Sequence, residues 1–390
     1  MILSYVYVKF IDELVFASLL GMIALECYVE GKKAFQKYQI IWVLSAIMIF
    51  YAIYSIVFVH FNSPIYVLSD LIVQIKPFFP FFIVRQMGVT LLPKYKPIAK
   101  ALCLANAFMM IVFYVWGHGE LMLPFGHIAS LGATCMISSL VYLLCSRDDN
   151  DNISIKDLII AISILTLGLI CRRSKYYGEY VIVLALLYGY RPGLFRNISF
   201  KHVLTVFAVL GAVVLVSWQK IQVYFIQGAI DMLQNDSLEA FNDSFARPML
   251  YVTGGQILLD YFPFGSGLAS FASNASAVNY STLYYDYGLD KVWGLSPSKT
   301  DFICDAYYPS LCQFGVVGVC LFIYLWKWMF GLFLKKDDML ADKFRLRFII
   351  GISLIAFILI ECIGGTSFTQ SCGLQAMIVL AMILDKETCK

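Results

Sequence analysis

Charged side chains are scarce in this sequence. Asp, Glu, Lys and Arg make up only 14% of the 390 residues, whereas 60% are hydrophobic. A soluble globular domain has roughly 25% charged and 45–50% apolar residues, so the composition excludes an ordinary soluble protein. The net charge of +3 is too small to indicate a nucleic-acid partner. The composition predicts an all-α, polytopic integral membrane protein that is surrounded by membrane lipids.

Histidine is also rare, and no His lies in a recognisable catalytic or metal-binding setting. Most of the eleven cysteines lie in or beside apolar runs, where Cys behaves as a small apolar residue. Cys304 and Cys312 allow a disulfide, but their spacing does not indicate a metal site. We therefore expect neither metal nor cofactor. The lack of a well-placed His also weighs against a membrane acyltransferase.

Two further signals are missing from the chain. The first apolar run is preceded by Lys9, Asp12 and Glu13 and has no small-residue cleavage site, so we expect no cleavable signal peptide. No internal repeat is present, which weighs against the architecture of many secondary transporters. A transporter or flippase without catalysis nevertheless stays open as an alternative.

Long apolar runs, by contrast, are abundant, and we predict about eleven transmembrane helices from runs of roughly 15–23 residues with few charges. The predicted spans are 13–29, 40–59, 65–84, 100–117, 128–145, 157–171, 177–190, 203–218, 311–330, 348–363 and 372–384. The chain thus divides into residues 1–219 with spans 1 to 8, a long hydrophilic loop at 220–310, and residues 311–390 with spans 9 to 11 and a tail.

Basic residues predict the orientation of these spans, because Lys and Arg accumulate on the cytoplasmic side of a membrane. They are concentrated in the connections after spans 1, 3, 5, 7 and 9, whereas the short connections 61–64, 119–127 and 364–371 contain none. Alternation therefore places the 220–310 loop and the N-terminus outside and the C-terminus inside.

One external connection departs from this rule. Between spans 6 and 7 the chain reads Cys171-Arg172-Arg173-Ser174-Lys175, with three cations in four residues. Two interpretations stay open: the topology is wrong here or the cations snorkel from a helix end, or they face an anionic ligand at the outer surface. Diphosphate suits the second, because Arg offers a rigid donor fork that matches phosphate oxygens.

Charges also occur within the spans. Lys76 lies near the middle of span 3, where a cation costs about 2.5–3.5 kcal/mol and so requires a partner or a polar cavity. Asp70 is not an ideal same-face partner, and Pro77 is expected to open the helix. Glu179 and Glu361 lie near the outer ends of their spans.

The sequence allows two interpretations of each of these glutamates. We expect Glu179 and Glu361 to pair with Arg172 or Arg173, and a structural salt bridge is at least as consistent with the sequence as a catalytic role.

Within the long loop, an amphipathic stretch at 247–262 ends in Pro263-Phe264-Gly265-Ser266-Gly267. Proline and glycine there predict a turn that lets the backbone approach a ligand. The aromatic residues that follow favour packing over sugar stacking. They are Tyr280, Tyr284, Tyr285, Tyr287 and Trp293.

The order and sidedness of these features resemble the bacterial O-antigen polymerase and O-antigen ligase superfamily of integral membrane glycosyltransferases, over most of the chain. The resemblance rests on Asp12-Glu13 before span 1, Lys76-Pro77-Phe78, the 172–175 cluster, Arg247 leading into 263–267, and the end of the loop. There Asp305 is followed by nine residues and then by Gly315-Val316-Val317-Gly318, which matches a spacing found in ligases. Ligases have a His immediately before the residue that starts this spacing. Here that position is Cys304, which favours a polymerase.

The resemblance implies a GT-C-like, metal-independent glycosyltransferase in the bacterial inner membrane, with its active site facing the periplasm. It would transfer a sugar chain from undecaprenyl diphosphate to a second lipid-linked repeat unit, with a chain-length regulator and a flippase as further partners. An O-antigen ligase acting on lipid A core is the nearest alternative. A polysaccharide or lipid transporter without enzymatic activity is the other.

The resemblance and the charge pattern together assign roles to eleven residues. Arg172, Arg173 and Arg247 are predicted to hold the diphosphate, with Lys175 and Lys76 as helpers, and Asp305 or Asp301 to accept the proton of the acceptor hydroxyl. Gly265 and Gly267 are predicted to shape the substrate-binding loop, and Glu179 and Glu361 are the remaining predicted substrate-binding residues.

Overall fold

The described part of the chain is helical. The computed structural model describes residues 11–116, 128–194 and 246–384, with four isolated positions between 195 and 245. Within these ranges the chain forms helices and two isolated bridges but no strand. The prediction of an all-α protein is confirmed for these residues.

The helices before the long loop follow one another with short connections. They are α1 (Ile11–Glu30), α2 (Lys32–Lys37), α3 (Gln39–Tyr54, continued by a π turn at Ser55–Val59), α4 (Pro64–Ile75), α5 (Phe78–Met87), α6 (Lys96–Trp116), α7 (Ile128–Ser146), α8 (Ile155–Leu167) and α9 (Ser174–Gly189).

The described part of the loop and the C-terminal region add six helices. They are α10 (Ala246–Asp260), α11 (Asn274–Val278), α12 (Leu283–Asp286), α13 (Gly315–Leu340), α14 (Arg345–Glu361) and α15 (Ser371–Ile383). Short 3₁₀ turns precede α13 at Tyr308–Phe314 and α15 at Ser367–Thr369.

The length and composition of some helices suit a membrane. Gln39–Val59 and Pro93–Val112 are each long and apolar enough to cross one, and the pair α4 and α5, bent by 44° at its break, is a third if it counts as one span. The break follows from Pro77, which cannot continue the hydrogen bonding of α4. Each predicted span except 203–218, which lies largely outside the described residues, contains a helix.

Most helices share one apolar core. Buried side chains of α5, α7, α14 and α15 form its centre, among them Phe81, Leu140, Phe348 and Met377. The outer faces of α1, α3 and α6 instead expose large apolar side chains such as Leu25, Phe50 and Phe108. Exposed apolar faces of this extent are typical of contact with lipid.

The segment 246–314 packs as a cap with its own small apolar core, which includes Leu250, Phe271 and Tyr284. The π turn of α3 anchors this cap, because the Ser55 hydroxyl accepts the Leu268 N–H at 2.7 Å. Asp70 of α4 accepts the neighbouring Ala269 N–H at 2.7 Å. The cap is thereby fixed over the ends of α3 and α4.

At the opposite end of the bundle, Asp151 joins two connections. Its buried carboxylate accepts the backbone N–H groups of Leu346 and Arg347 at 2.7 and 3.0 Å and the Arg347 Nε–H at 3.0 Å. A carboxylate at this position satisfies the first N–H groups of α14 and complements the positive end of its dipole.

Asp151→Ala is expected to destabilise the protein by about 3–5 kcal/mol, because it leaves Arg347 without its buried partner and the N-terminus of α14 uncapped. Thermal unfolding of the detergent-solubilised protein measures the loss. Asp149→Ala is the matched control, since Asp149 is exposed in the same turn. Equal melting temperatures for the two variants would contradict the expectation.

Candidate functional site

A polar cavity of about 890 Å³ lies between the cap, the start of α1, the end of α4 and the turn between α14 and α15. Four predicted cations and two predicted carboxylates line it. They are Lys76, Arg173, Lys175, Arg247, Asp301 and Asp305. These residues are up to 229 positions apart in the chain (305 minus 76), so only the fold brings them together.

The cations Lys175 and Arg247 meet at the turn formed by Gly364 and Gly365. Lys175 Nζ lies 2.6 Å from Glu361 Oε2 and donates to the Gly364 carbonyl at 3.3 Å. Arg247 of α10 forms an ion pair with Asp305, and a side chain added at Gly364 would come within 3.9 Å of Arg247 Cζ. A glycine turn therefore leaves room for a ligand beside both cations.

The start of α15 also faces this cavity, which the sequence interpretation missed. Residues 366, 367 and 369–372 line it, and the Gln370 side chain at the N-cap accepts no hydrogen bond from the helix. The first N–H groups and the dipole of a helix favour an anion. The only sequence signal was an uncharged, small and polar connection between two apolar runs.

Lys76 lies at the break between α4 and α5 and has two carboxylate partners. Its Nζ is 2.6 Å from Asp12 Oδ2 and 3.0 Å from Glu13 Oε1, and the lysine side chain is only 6% exposed. The sequence indicated that Lys76 needs a partner or a polar cavity, and the structure provides both. The partners come from α1.

Several predicted residues do not line the cavity. Arg172 is exposed and ends a 3₁₀ turn with φ +52°. Glu179 is buried in α9, and Glu361 is buried and paired with Lys175. The expected pairing of Glu179 and Glu361 with Arg172 or Arg173 is wrong. Neither carboxylate oxygen of Glu179 receives a hydrogen bond from the described residues, whereas Glu361 pairs with Lys175 and accepts the Ser367 hydroxyl at 2.5 Å. Lys175, and not the exposed Arg172, is thus the cation that partners this carboxylate.

The two predicted loop glycines lie where the cap meets α3 and α13. Gly265 has φ +82°, and a Cβ there would lie 2.2 Å from the Cys312 carbonyl oxygen. Gly267 has φ +81°, and its Cβ would lie 2.7 Å from Ser55 Oγ. Both positions therefore require glycine for backbone geometry and close packing. Neither glycine lines the cavity, so their part is in shaping the loop.

Cys304, which stands where ligases have a His, lines the cavity as a free thiol. Burial raises the pKa of this thiol to about 12, and the nearby Asp70 and Asp305 carboxylates act in the same direction. The thiol is therefore neutral at physiological pH and does not replace a histidine base. Cys312 is also a free thiol, so the two cysteines form no disulfide.

The aromatic residues of the cap are engaged in packing. Tyr284 is fully buried and stacks on Phe271 with ring centroids 5.5 Å apart. Lys299 Nζ lies 3.4 Å from the centre of the Trp293 ring and covers one face of it. These contacts agree with the packing interpretation of the aromatic run.

An apolar groove of about 520 Å³ adjoins the polar cavity, and Gln74 and Tyr307 line both. The groove runs between α3, α4, α5 and α13 along side chains such as Met48, Phe78 and Leu325. An acidic or neutral polar head group with a long apolar tail would fit the pair of spaces.

No protein-family model and no curated protein matches this chain.

Proposed function

We propose that this chain is a multi-pass membrane glycosyltransferase that polymerises lipid-diphosphate-linked oligosaccharide units of a bacterial surface polysaccharide. One observation carries the proposal. A cavity lined by Arg173, Lys175 and Arg247 continues into an apolar groove through Gln74 and Tyr307. Cations suit a diphosphate, and the groove suits a polyprenyl chain.

The proposal includes the topology expected from the sequence. About eleven helices cross the inner membrane in a GT-C-like arrangement, and the cap formed by residues 246–314 lies on the periplasmic side. The scarcity of Lys and Arg in the connections on this side supports that orientation. Undecaprenyl diphosphate is the lipid that the resemblance implies for the substrate.

In the proposed reaction, the oxygen of an acceptor hydroxyl attacks the anomeric carbon of the donor sugar. The bond from that carbon to the diphosphate oxygen breaks, and its electrons remain on the leaving diphosphate. Arg173, Lys175, Arg247 and the N-terminus of α15 stabilise this charge as it develops. The fold holds these groups in position before the substrate binds.

The acceptor hydroxyl must also lose its proton to a base. Asp305 is the weaker of the two predicted candidates, because its carboxylate is already engaged in the ion pair with Arg247. Asp301 is exposed and lines the same cavity. We assign the proton to Asp301, from which it passes to solvent.

Ligase activity is less well supported than polymerisation. The neutral thiol of Cys304 supplies no base at the position of the ligase histidine. Gly315, the first glycine of the shared spacing, has φ +61°, and a Cβ there would lie 2.2 Å from the Pro263 carbonyl oxygen. That glycine therefore packs the loop against α13 and does not distinguish a ligase from a polymerase.

The length of surface polysaccharide in cells that lack this gene tests the proposal. A polymerase mutant is expected to carry core with a single repeat unit, and the wild-type gene to restore the ladder of longer chains. Bare core with accumulating lipid-linked polymer would identify a ligase instead. An unchanged ladder would refute both activities.

A further inference from the structure

Two residues that line the polar cavity each have a buried acceptor atom that receives no hydrogen bond. The two atoms are Gln74 Oε1 and Asp12 Oδ1, and no donor among the described residues reaches either atom. Each residue is only 4% exposed. Buried polar atoms without partners are rare because they cost stability, and two in one cavity require an explanation.

Neighbouring contacts determine which atom of Gln74 is left open. Gln74 Nε2 donates to Asp70 Oδ1 at 3.4 Å, while Asp70 Oδ2 accepts the Ala269 N–H. Since a carboxylate accepts hydrogen bonds and cannot donate them, the amide nitrogen of Gln74 lies on the Asp70 side. The carbonyl oxygen is therefore the atom that lacks a partner.

Asp12 is oriented in a similar way. Its Oδ2 is held by Lys76 at 2.6 Å, which leaves Oδ1 without a donor. The adjacent Glu13 shares Lys76 and brings another carboxylate to the same place. The charge of Lys76 is thus balanced by two carboxylates, so this end of the cavity does not favour an anion.

A ligand that is rich in hydrogen-bond donors and carries no negative charge would satisfy both acceptor atoms. Sugar hydroxyl groups meet both conditions. Because Gln74 lines the apolar groove as well as the polar cavity, a sugar that reaches it lies beside the point where a lipid tail would leave the cavity.

We infer that Asp12, Glu13 and Gln74 form a saccharide subsite, in which Gln74 Oε1 and Asp12 Oδ1 accept hydrogen bonds from the sugar that adjoins the lipid diphosphate. Lys76 is then a positioning residue for Asp12, and the diphosphate lies with Arg173, Lys175 and Arg247. This inference rests on the proposed function. It names the residues by which the protein would distinguish a glycosylated lipid from a bare one.

Binding of two lipids to the protein in nanodiscs tests the subsite. One probe is the lipid-linked repeat unit isolated from cells that lack this gene, and the other is undecaprenyl diphosphate without sugar. Gln74→Met keeps the size of the side chain and removes its acceptor. It is expected to weaken binding of the glycosylated lipid roughly tenfold and to leave binding of the bare lipid unchanged.

Gln256→Met is the matched control, because Gln256 is exposed on α10 and lines neither space. The control is expected to bind both lipids as the wild type does. If Gln74→Met does not fold, Asp12→Asn provides the same comparison, since Glu13 still balances Lys76.

The outcomes separate the subsite from the proposed function. If Gln74→Met weakens binding of both lipids equally, Gln74 contacts the polyprenyl tail and not the sugar. If binding of both lipids is unchanged, Gln74 has no part in recognition. Either result overturns the subsite while the polymerase proposal stands. If the wild-type protein binds neither lipid, the proposed function and the subsite both fail.

Discussion

Arg247→Ala is expected to abolish the ladder of long polysaccharide chains. Arg247 lies in the polar cavity beside Lys175 and the turn at Gly364, where the proposed reaction places the leaving diphosphate. Removing one donor from a site that stabilises developing charge lowers the rate of the chemical step about 10²–10³-fold. Gel analysis of surface polysaccharide, with the protein level measured in parallel, detects this loss.

A lysine substitution tests whether Arg247 acts through its charge or through its planar shape. Arg247→Lys retains the charge but loses the planar fork, so an intermediate ladder is expected. Arg191→Ala is the matched control, because Arg191 is exposed and lies outside the cavity. A full ladder from Arg247→Ala at normal abundance would contradict the proposed role.

The ion pair with Asp305 allows a structural alternative to be excluded by experiment. If Arg247 only balances Asp305, then Asp305→Asn in the Arg247→Ala background restores the ladder, because no unpaired carboxylate is left. If Arg247 binds diphosphate, the double variant stays inactive. The double variant therefore distinguishes a structural pair from a ligand contact.

Lys76→Met is expected to destabilise the protein strongly. It leaves the buried Asp12 without its cation, and breaking a buried pair costs about 3–5 kcal/mol. We expect a large fall in the melting temperature of the purified protein, or its loss from the membrane.

A second substitution separates stability from activity. Lys76→Met combined with Asp12→Leu replaces both members of the pair with apolar groups, and such replacements are often neutral for stability. The double variant is expected to recover most of the melting temperature but not the ladder, since Asp12 belongs to the saccharide subsite. A single variant that melts like the wild type would show that the Lys76 pairs are not structural.

The helices were largely predictable because they depend on local features. An apolar run long enough for a span, bounded by polar residues, predicts a helix without knowledge of its neighbours. The break at Lys76-Pro77 was predictable for the same reason, because proline removes a backbone donor wherever it stands. The demand for glycine at 265 and 267 was visible as a turn signal.

The partners of the charged residues were not predictable in this way. Lys76 binds Asp12, which is 64 residues away, rather than the nearby Asp70. Glu361 binds Lys175 rather than Arg172, although both cations belong to the same short cluster. Sequence spacing limits which residues share a helix face, but it does not state which helices meet or how a turn directs its side chains.

Composition and periodicity act over short distances along the chain, and they specify the all-α class, the helices and the kinds of charge available for a site. The tertiary structure alone places the start of α15 at the cavity, joins the apolar groove to it through Gln74 and Tyr307, and leaves two acceptor atoms there without donors among the described residues. Those features arise from packing between segments far apart in sequence, where the energy of burial selects the neighbours.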